Sequence, residues 1–393
     1  MGARTAALAF AAALLWAGEA EVARGFDHFY NLEFDQAIAV FEREAAARPD
    51  AASLQNHLAQ AILFREMLKA GALESELVSG GNAFLRREKM NPSPEDQGKF
   101  DRAIAQALRL AQAALGVRPS DTQALYDLGV SYGLRANYNF LVRKAWMDAL
   151  RDATQARRAH QRAFEIDPGF IDARMVPGTH EYVVASLPWH YRFVGFLTGL
   201  RANRDAGVAA LKLVAAKGVR NRDDAAILLA VIYRRERKFR EAINLLNQLI
   251  PKYPRNYLLR FELAQMHSDN GDGEAALAAI AEVEKLKKAA TPGFANLPYE
   301  KILYYRATVQ FWYRDYNAAA SNFERVTAHA EVIDPHSGVT AWMRLGQIYD
   351  LRGDRERARQ YYRKAISFAP ESWTARECEG YLRKPFRRTD DPA

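Results

Sequence analysis

An all-α fold is predicted for this chain: an α-solenoid of antiparallel helix pairs. Two observations predict it. Small residues and large apolar residues recur in a common frame, and one interval of that frame, Ala230 to Ala264, spans 34 residues. The breakers fall between helix-length segments. Pro370 stops the last framed helix, because proline lacks an N–H and biases its predecessor away from the helical region. Ala290-Thr291-Pro292-Gly293 marks a loop. A helix pair of this length cannot bury its apolar face alone, so neighbours must stack into one continuous core.

The first segment, residues 1–20, has the layout of a secretory signal peptide. Arg4 precedes an apolar run from Ala6 to Ala17, followed by Gly18-Glu19-Ala20 with small residues placed for cleavage. The run is too short to span roughly 30 Å of hydrocarbon. Residues 21–69 hold a first repeat-like unit with Gly25, Ala37, Phe41 and Pro49. Residues 70–98, with Ser79-Gly80-Gly81-Asn82 and Asn91-Pro92-Ser93-Pro94, read as a loop or insert. Residues 99–220 read as divergent helical repeats. Leu128-Gly129-x2-Tyr132 is followed by Ala156, Ala163 and Pro168, with extra residues around Asn137-Tyr138-Asn139-Phe140. The stretch 170–220 reads as helices broken at Gly178 and Pro188.

The array proper spans 221–370. Its units carry Leu229, Ala230, Tyr233, Ala242, Leu246, Leu249 and Pro254; then Leu263, Ala264, His267, Gly271, Ala276, Ile280 and Val283; then Ala307, Ala319, Phe323 and Val326. The last has Trp342-x2-Leu345-Gly346-x2-Tyr349, Gly353, Ala358, Tyr362, Ala365 and Pro370. A capping helix is expected over 371–384 and a disordered tail over 385–393.

The residues from Trp342 to Pro370 resemble the tetratricopeptide-repeat family, in its exported bacterial type, and the upstream units resemble it with decreasing fidelity. The segment Ser186-Leu187-Pro188-Trp189 with Gly199 and Asp205-Ala206-Gly207 is similar to a divergent branch associated with the outer membrane. The resemblance implies a right-handed superhelix whose hollow face, lined by the first helix of each pair, binds a protein or peptide. It places Gln123 and Tyr126 on that face, then Arg234 and Arg235, then Phe261, Gln265 and Ser268. Lys301, Tyr304, Phe311 and Trp312 follow, and Met343, Gln347 and Asp350 complete the row. The Lys/Asn/Asn/Lys/Arg pattern that clamps C-terminal carboxylates in chaperone cofactors is missing from any two adjacent repeats. The aromatic run Tyr299, Tyr304, Tyr305, Phe311, Trp312, Tyr313 and Tyr316 reads either as packing between repeats or as interface anchors.

Composition bounds the rest. The chain has 393 residues, 49% hydrophobic and 26% charged, with a formal charge of +8 that survives removal of residues 1–20, since Arg4 and Glu19 leave together. The basic residues are interspersed with acidic ones along helices, so solvated faces explain them better than a nucleic-acid stripe, and no nucleic acid is expected. One cysteine, Cys378, precludes an internal disulfide and reads as a packing residue. An exported protein without disulfides fits a bacterial periplasm or outer-membrane association.

No chemistry stands out. Dinucleotide and phosphate loops are missing, and His180-Glu181 lacks the second histidine of a zinc-protease helix. No catalytic residue, cofactor or metal is expected; an enzyme would have to draw on His180, Glu181 and His190. Asp223-Asp224 suit a helix N-terminus. The leading expectation is a non-catalytic scaffold for protein partners in the cell envelope. The alternative is a binder of envelope polymer or membrane surface through a basic face, for which Pro188 to Phe196 offers one patch.

Overall fold

The computed structural model describes residues 18–74, 89–186 and 203–388. The predicted signal run, residues 1–17, and the Pro188–Phe196 patch with His190 lie outside the described residues. Within them the chain is helical and contains no strand. It divides into two compact units, with boundaries inside two helices, after Glu66 and after Leu229.

Unit 1 opens with helical residues 18–30 (α1), followed by α2 (Phe34–Ala47), α3 (Ala52–Lys69) and α4 (Pro94–Val117). Then come α5 (Thr122–Tyr138), α6 (Trp146–Ile166), α7 (Met175–Ala185), α8 (Arg204–Lys217) and the start of α9 (Arg222–Arg235). The N-terminus of α4, Pro94, lies inside the stretch expected to be a loop. Ser93 caps it, accepting from the Asp96 N–H, and Pro94 suits the first helical turn. Arg65 near the end of α3 reaches both Asp35 of α2 and Asp96 of α4, tying three helices together. The extra residues between α5 and α6 extend α5 as a π-turn, Asn139–Arg143.

Gly178 does not break a helix. It sits within α7 facing α8, where a Cβ on Gly178 would lie 2.8 Å from the Ala210 Cβ. A Cβ on Gly207 would lie 2.7 Å from the Gly178 carbonyl. The two glycines let the α7 and α8 backbones touch, which is why this pair departs from the repeat frame.

Unit 2 holds α10 (Phe239–Lys252), α11 (Tyr257–Asp269), α12 (Gly273–Lys288), α13 (Tyr299–Trp312) and α14 (Tyr316–Ala328). It ends with α15 (Pro335–Leu351), α16 (Arg355–Phe368) and α17 (Trp373–Arg383), a C-terminal helix that packs over α16 as a cap. The short turn 70–74 belongs to this unit. The pairs α11/α12, α13/α14 and α15/α16 pack face to face, and the first helices α11, α13 and α15 also touch in succession.

The frame is metrical. In the four pairs of 230–365 the small residue of the first helix (Ala230, Ala264, Ala307, Gly346) precedes its partners in the second by 12, 16 and 19 residues. Those partners are Ala242/Leu246/Leu249, Ala276/Ile280/Val283, Ala319/Phe323/Val326 and Ala358/Tyr362/Ala365, and all are buried. At the Gly346 position a Cβ would collide with the Tyr362 ring, so this crossing has no room for a side chain. The turn between helices repeats too. Arg237, Gly271, Arg314 and Gly353 all have positive φ, two residues before the next helix. At Gly271 and Gly353 glycine takes this left-handed conformation without the Cβ penalty that the arginines bear.

The expected disordered tail is folded in part. Phe386 donates its N–H to Asp350, and the Arg388 guanidinium donates to the carbonyls of Phe311 and Trp312 and to the Tyr316 hydroxyl. Residues 385–388 therefore extend the cap.

Candidate functional site

The first helices of unit 2 were expected to present an open row of side chains, but most of that row is core. Phe261, Tyr304 and Phe311 are fully buried. Phe261 stacks on Tyr305 with ring centroids 4.0 Å apart, and Tyr304 meets Phe323 of α14 edge-on. Phe311 packs under the guanidinium of Arg344 at 4.7 Å and against Trp312 and Tyr316. Met343 is also buried. The aromatic density of 299–316 is thus largely packing between consecutive pairs. Trp312 is 38% exposed, with Arg344 and Arg388 over its ring, and Arg235 is exposed. Ser268 and Gln123 are half-buried.

In unit 1, Gln123 donates to Asp127, and Tyr126 is buried against Phe170 and His160 beneath the Arg220 guanidinium. Burial pushes the Tyr126 phenol well above its ordinary value. Asp172 organises this end: its carboxylate accepts from the N–H groups of Val219, Arg220 and Asn221, just ahead of α9. Asp223 and Asp224 occupy the first turn of α9, as their charge suggests.

The remaining members of the row are polar and buried. Arg234 donates to Asp269 at 2.8 Å. The Gln265 amide is 5% exposed, and neither its nitrogen nor its oxygen has a hydrogen-bond partner among the described residues. Gln347 accepts from Arg344. Asp350 accepts from Arg355, from the Tyr362 hydroxyl and from the Phe386 N–H, which makes it an internal tie to the cap.

Lys301 is the centre of a buried polar cluster. An ammonium has three protons to donate, and Lys301 places all three: on Glu74 at 2.5 Å, Asp334 at 2.5 Å and Ser337 at 2.7 Å. The Tyr305 hydroxyl donates to the second oxygen of Glu74. The ammonium also lies 5.6 and 5.5 Å from the ring centroids of Tyr304 and Tyr305. Asp334 is held by its own helix, since it caps α15 and accepts from the Ser337 N–H. Burial would drive Asp334 upward, but the Lys301 charge outweighs it and holds the carboxyl at about 2. Burial lifts Glu74 to about 7 despite the pull of Lys301, with the Asp334 charge adding to the rise. Burial opposes the Lys301 ammonium as well, yet the Asp334 and Glu74 carboxylates more than offset it, so the group stays charged.

Sequence reasoning placed Lys301 on the row but missed its partners. Asp334-Pro335-x-Ser337 is a readable helix start, whereas Glu74 gives no local signal. His180 is half-buried, and burial together with Arg157 lowers its pKa to about 4. Among the described residues no group of three or more His, Cys, Asp or Glu is arranged to hold a metal ion. None of their helices is long and apolar enough to cross a membrane.

Residues 227–293 and 339–372 each match a tetratricopeptide-repeat family, so these two segments are similar to tetratricopeptide repeats. No curated protein matches the chain in sequence. Among solved structures it is similar to the crystal structure of the APC/C hetero-tetramer Cut9-Hcn1, with a TM-score of 0.51 and 11% identity over 93% of this chain and 55% of that one. It is also similar to yeast Tom70 (TM-score 0.43, 14% identity, 94% of this chain and 95% of that one). Pseudomonas aeruginosa pilF is a third (TM-score 0.40, 15% identity, 67% of this chain and 99% of that one). At 11% identity the Cut9-Hcn1 likeness speaks to fold alone: an all-α array of helix pairs.

Proposed function

We propose that this chain is a non-catalytic scaffold of the bacterial cell envelope that binds a protein or peptide partner through its tetratricopeptide units. The observation that carries the reading is the repeat frame of unit 2, matched over 227–293 and 339–372, because repeats of this type generally bind protein or peptide partners. The exposed Trp312 ring, with arginines over it, supplies an amphipathic anchor beside the polar row.

Two measurements test this. Capture from an envelope extract, with the tagged protein lacking residues 1–20 as bait, is expected to enrich a reproducible partner. Enrichment no greater than with an empty-tag control would overturn the scaffold reading. Cell fractionation with N-terminal mass mapping tests export; full-length protein retained in the cytoplasm would remove the envelope assignment.

One observation favours the membrane-surface alternative. Trp146, Met147 and Leu150 are exposed together at the start of α6, among Arg143, Lys144 and Arg151. Co-sedimentation with vesicles of anionic lipid tests this. Binding lost at moderate salt supports it, and no binding at low salt dismisses it.

A further inference from the structure

We propose that the Lys301 cluster is a carboxylate-binding subsite of unit 2, filled here by the chain's own Glu74, and that an acidic side chain of a peptide partner enters by displacing the 70–74 turn. This rests on the reading of unit 2 as a peptide-binding array.

Lys301 and Tyr305 stand on α13, and Asp334 and Ser337 on the first turn of α15, both first helices of their pairs. These are the helices whose exposed sides form the recognition face of such arrays. Glu74 belongs to no helix pair. It comes from a turn 227 positions away from Lys301 in sequence, and it is seated on that face. Ala72 and Glu74 are buried there. Gly71, at φ 70, lies so close to Asp334 that a Cβ would strike its carboxylate. The turn is therefore fitted to its seat as a bound peptide would be.

The balance of charge points the same way. A buried ammonium must be compensated, or its desolvation costs several kcal/mol. Asp334 supplies the larger share of that compensation and is fixed by its capping role. Glu74 is a second carboxylate, and its burial drives it toward the neutral form. It is thus the partner that can be exchanged. When it leaves, Lys301 keeps Asp334 and Ser337, and what opens is the place of the Glu74 carboxylate, facing the ammonium proton and the Tyr305 hydroxyl that now serve it. That pair matches the two oxygens of a carboxylate, as it does now with Glu74. A structural ion pair would need no third, removable member.

The occupant to which this commits is an acidic peptide, and the chain's own sequence provides the probe. A labelled synthetic peptide of residues 67–78 is titrated into full-length wild type, Glu74→Ala, Glu74→Ala/Lys301→Met and Glu74→Ala/Tyr305→Phe, each checked by circular dichroism. An internal tenant lowers apparent affinity by the fraction of sites it occupies, so Glu74→Ala is expected to bind the peptide roughly tenfold or more tighter than wild type. The gain should vanish with Lys301→Met and weaken with Tyr305→Phe, which removes only the hydroxyl and keeps the proposal testable should Lys301→Met fail to fold. A peptide with Gln at the Glu74 position should not bind. Equal affinity for wild type and Glu74→Ala, or no binding to Glu74→Ala, overturns the proposal. Capture of an envelope partner by wild type that is unchanged in Glu74→Ala sinks the subsite but leaves the scaffold standing; failure of capture with peptide binding intact sinks the scaffold alone.

Discussion

Acidification should destabilise unit 1 through one imidazole. His160 of α6 is fully buried, faces Gly129 of α5 and meets the Tyr126 ring edge-on at 4.9 Å. Neither ring nitrogen has a hydrogen-bond partner among the described residues. Burial lowers its pKa from 6.5 to about 3. The unfolded chain therefore binds the proton more tightly than the folded one. The stability His160 contributes is complete above pH 6.5 and declines as pH falls below that value, continuing to about pH 3. Each pH unit below the unfolded value costs about 1.4 kcal/mol, so the loss by about pH 5 is on the order of 2 kcal/mol. The assay is urea unfolding followed by circular dichroism at about pH 7.5 and about pH 5, for wild type and for His160→Phe, which retains a ring but cannot titrate. His57 and His180, also lowered by burial, titrate in both proteins and cancel in the comparison. Wild type should lose about 2 kcal/mol more than the variant. An equal loss in both would refute the reasoning and mean that the imidazole is hydrated or paired in solution.

Other substitutions probe the packing. Gly207→Ala drives a Cβ into the Gly178 carbonyl and the Tyr182 N–H, backbone atoms that cannot swing aside, and should cost about 1–3 kcal/mol in urea titrations. The inter-helix turns give an opposed pair: Arg237→Gly, relieving a left-handed arginine, should raise stability by up to about 1 kcal/mol, and Gly353→Ala should lower it by a similar amount. Asp172→Ala leaves three backbone N–H groups ahead of α9 without their acceptor, and should lower the melting temperature and speed amide exchange at 219–221. Cys378 is fully buried, and burial lifts its thiol to about 12, so alkylation near pH 8 should proceed only at the rate of unfolding.

How much of this the sequence disclosed depends on how local the cause was. Ala276, Ile280 and Val283 could be placed because helix-pair packing is decided within one repeat, and the buried side chains fall at fixed intervals from the small residue. Even the unit around Ala307, where Gln310 replaces the usual tyrosine, keeps the same intervals. What escaped depends on distance. Phe261 and Tyr304 were assigned to an open face because a helix wheel shows direction but not what the next helix brings against it. Gly178 was read as a breaker because glycine marks both bends and close approaches, and only Gly207 on the facing helix distinguishes them. Arg388 was assigned to a disordered tail because nothing nearby in sequence announces the carbonyls of Phe311 and Trp312 as its acceptors.

The clasp between Glu74 and Lys301 bears on how the chain assembles. Helix-pair arrays ordinarily grow by contact with the preceding neighbour, so they nucleate and extend with little cost in loop closure. Here a residue made early in synthesis waits for one made 227 positions later, and the connection between them must be drawn shut before that part of the core is complete. Cutting the chain at the start of its recognisable repeats would remove the early half of the clasp. A shortened protein beginning near residue 221 would carry every helix of the array yet expose Tyr305 and leave the lysine with one carboxylate fewer.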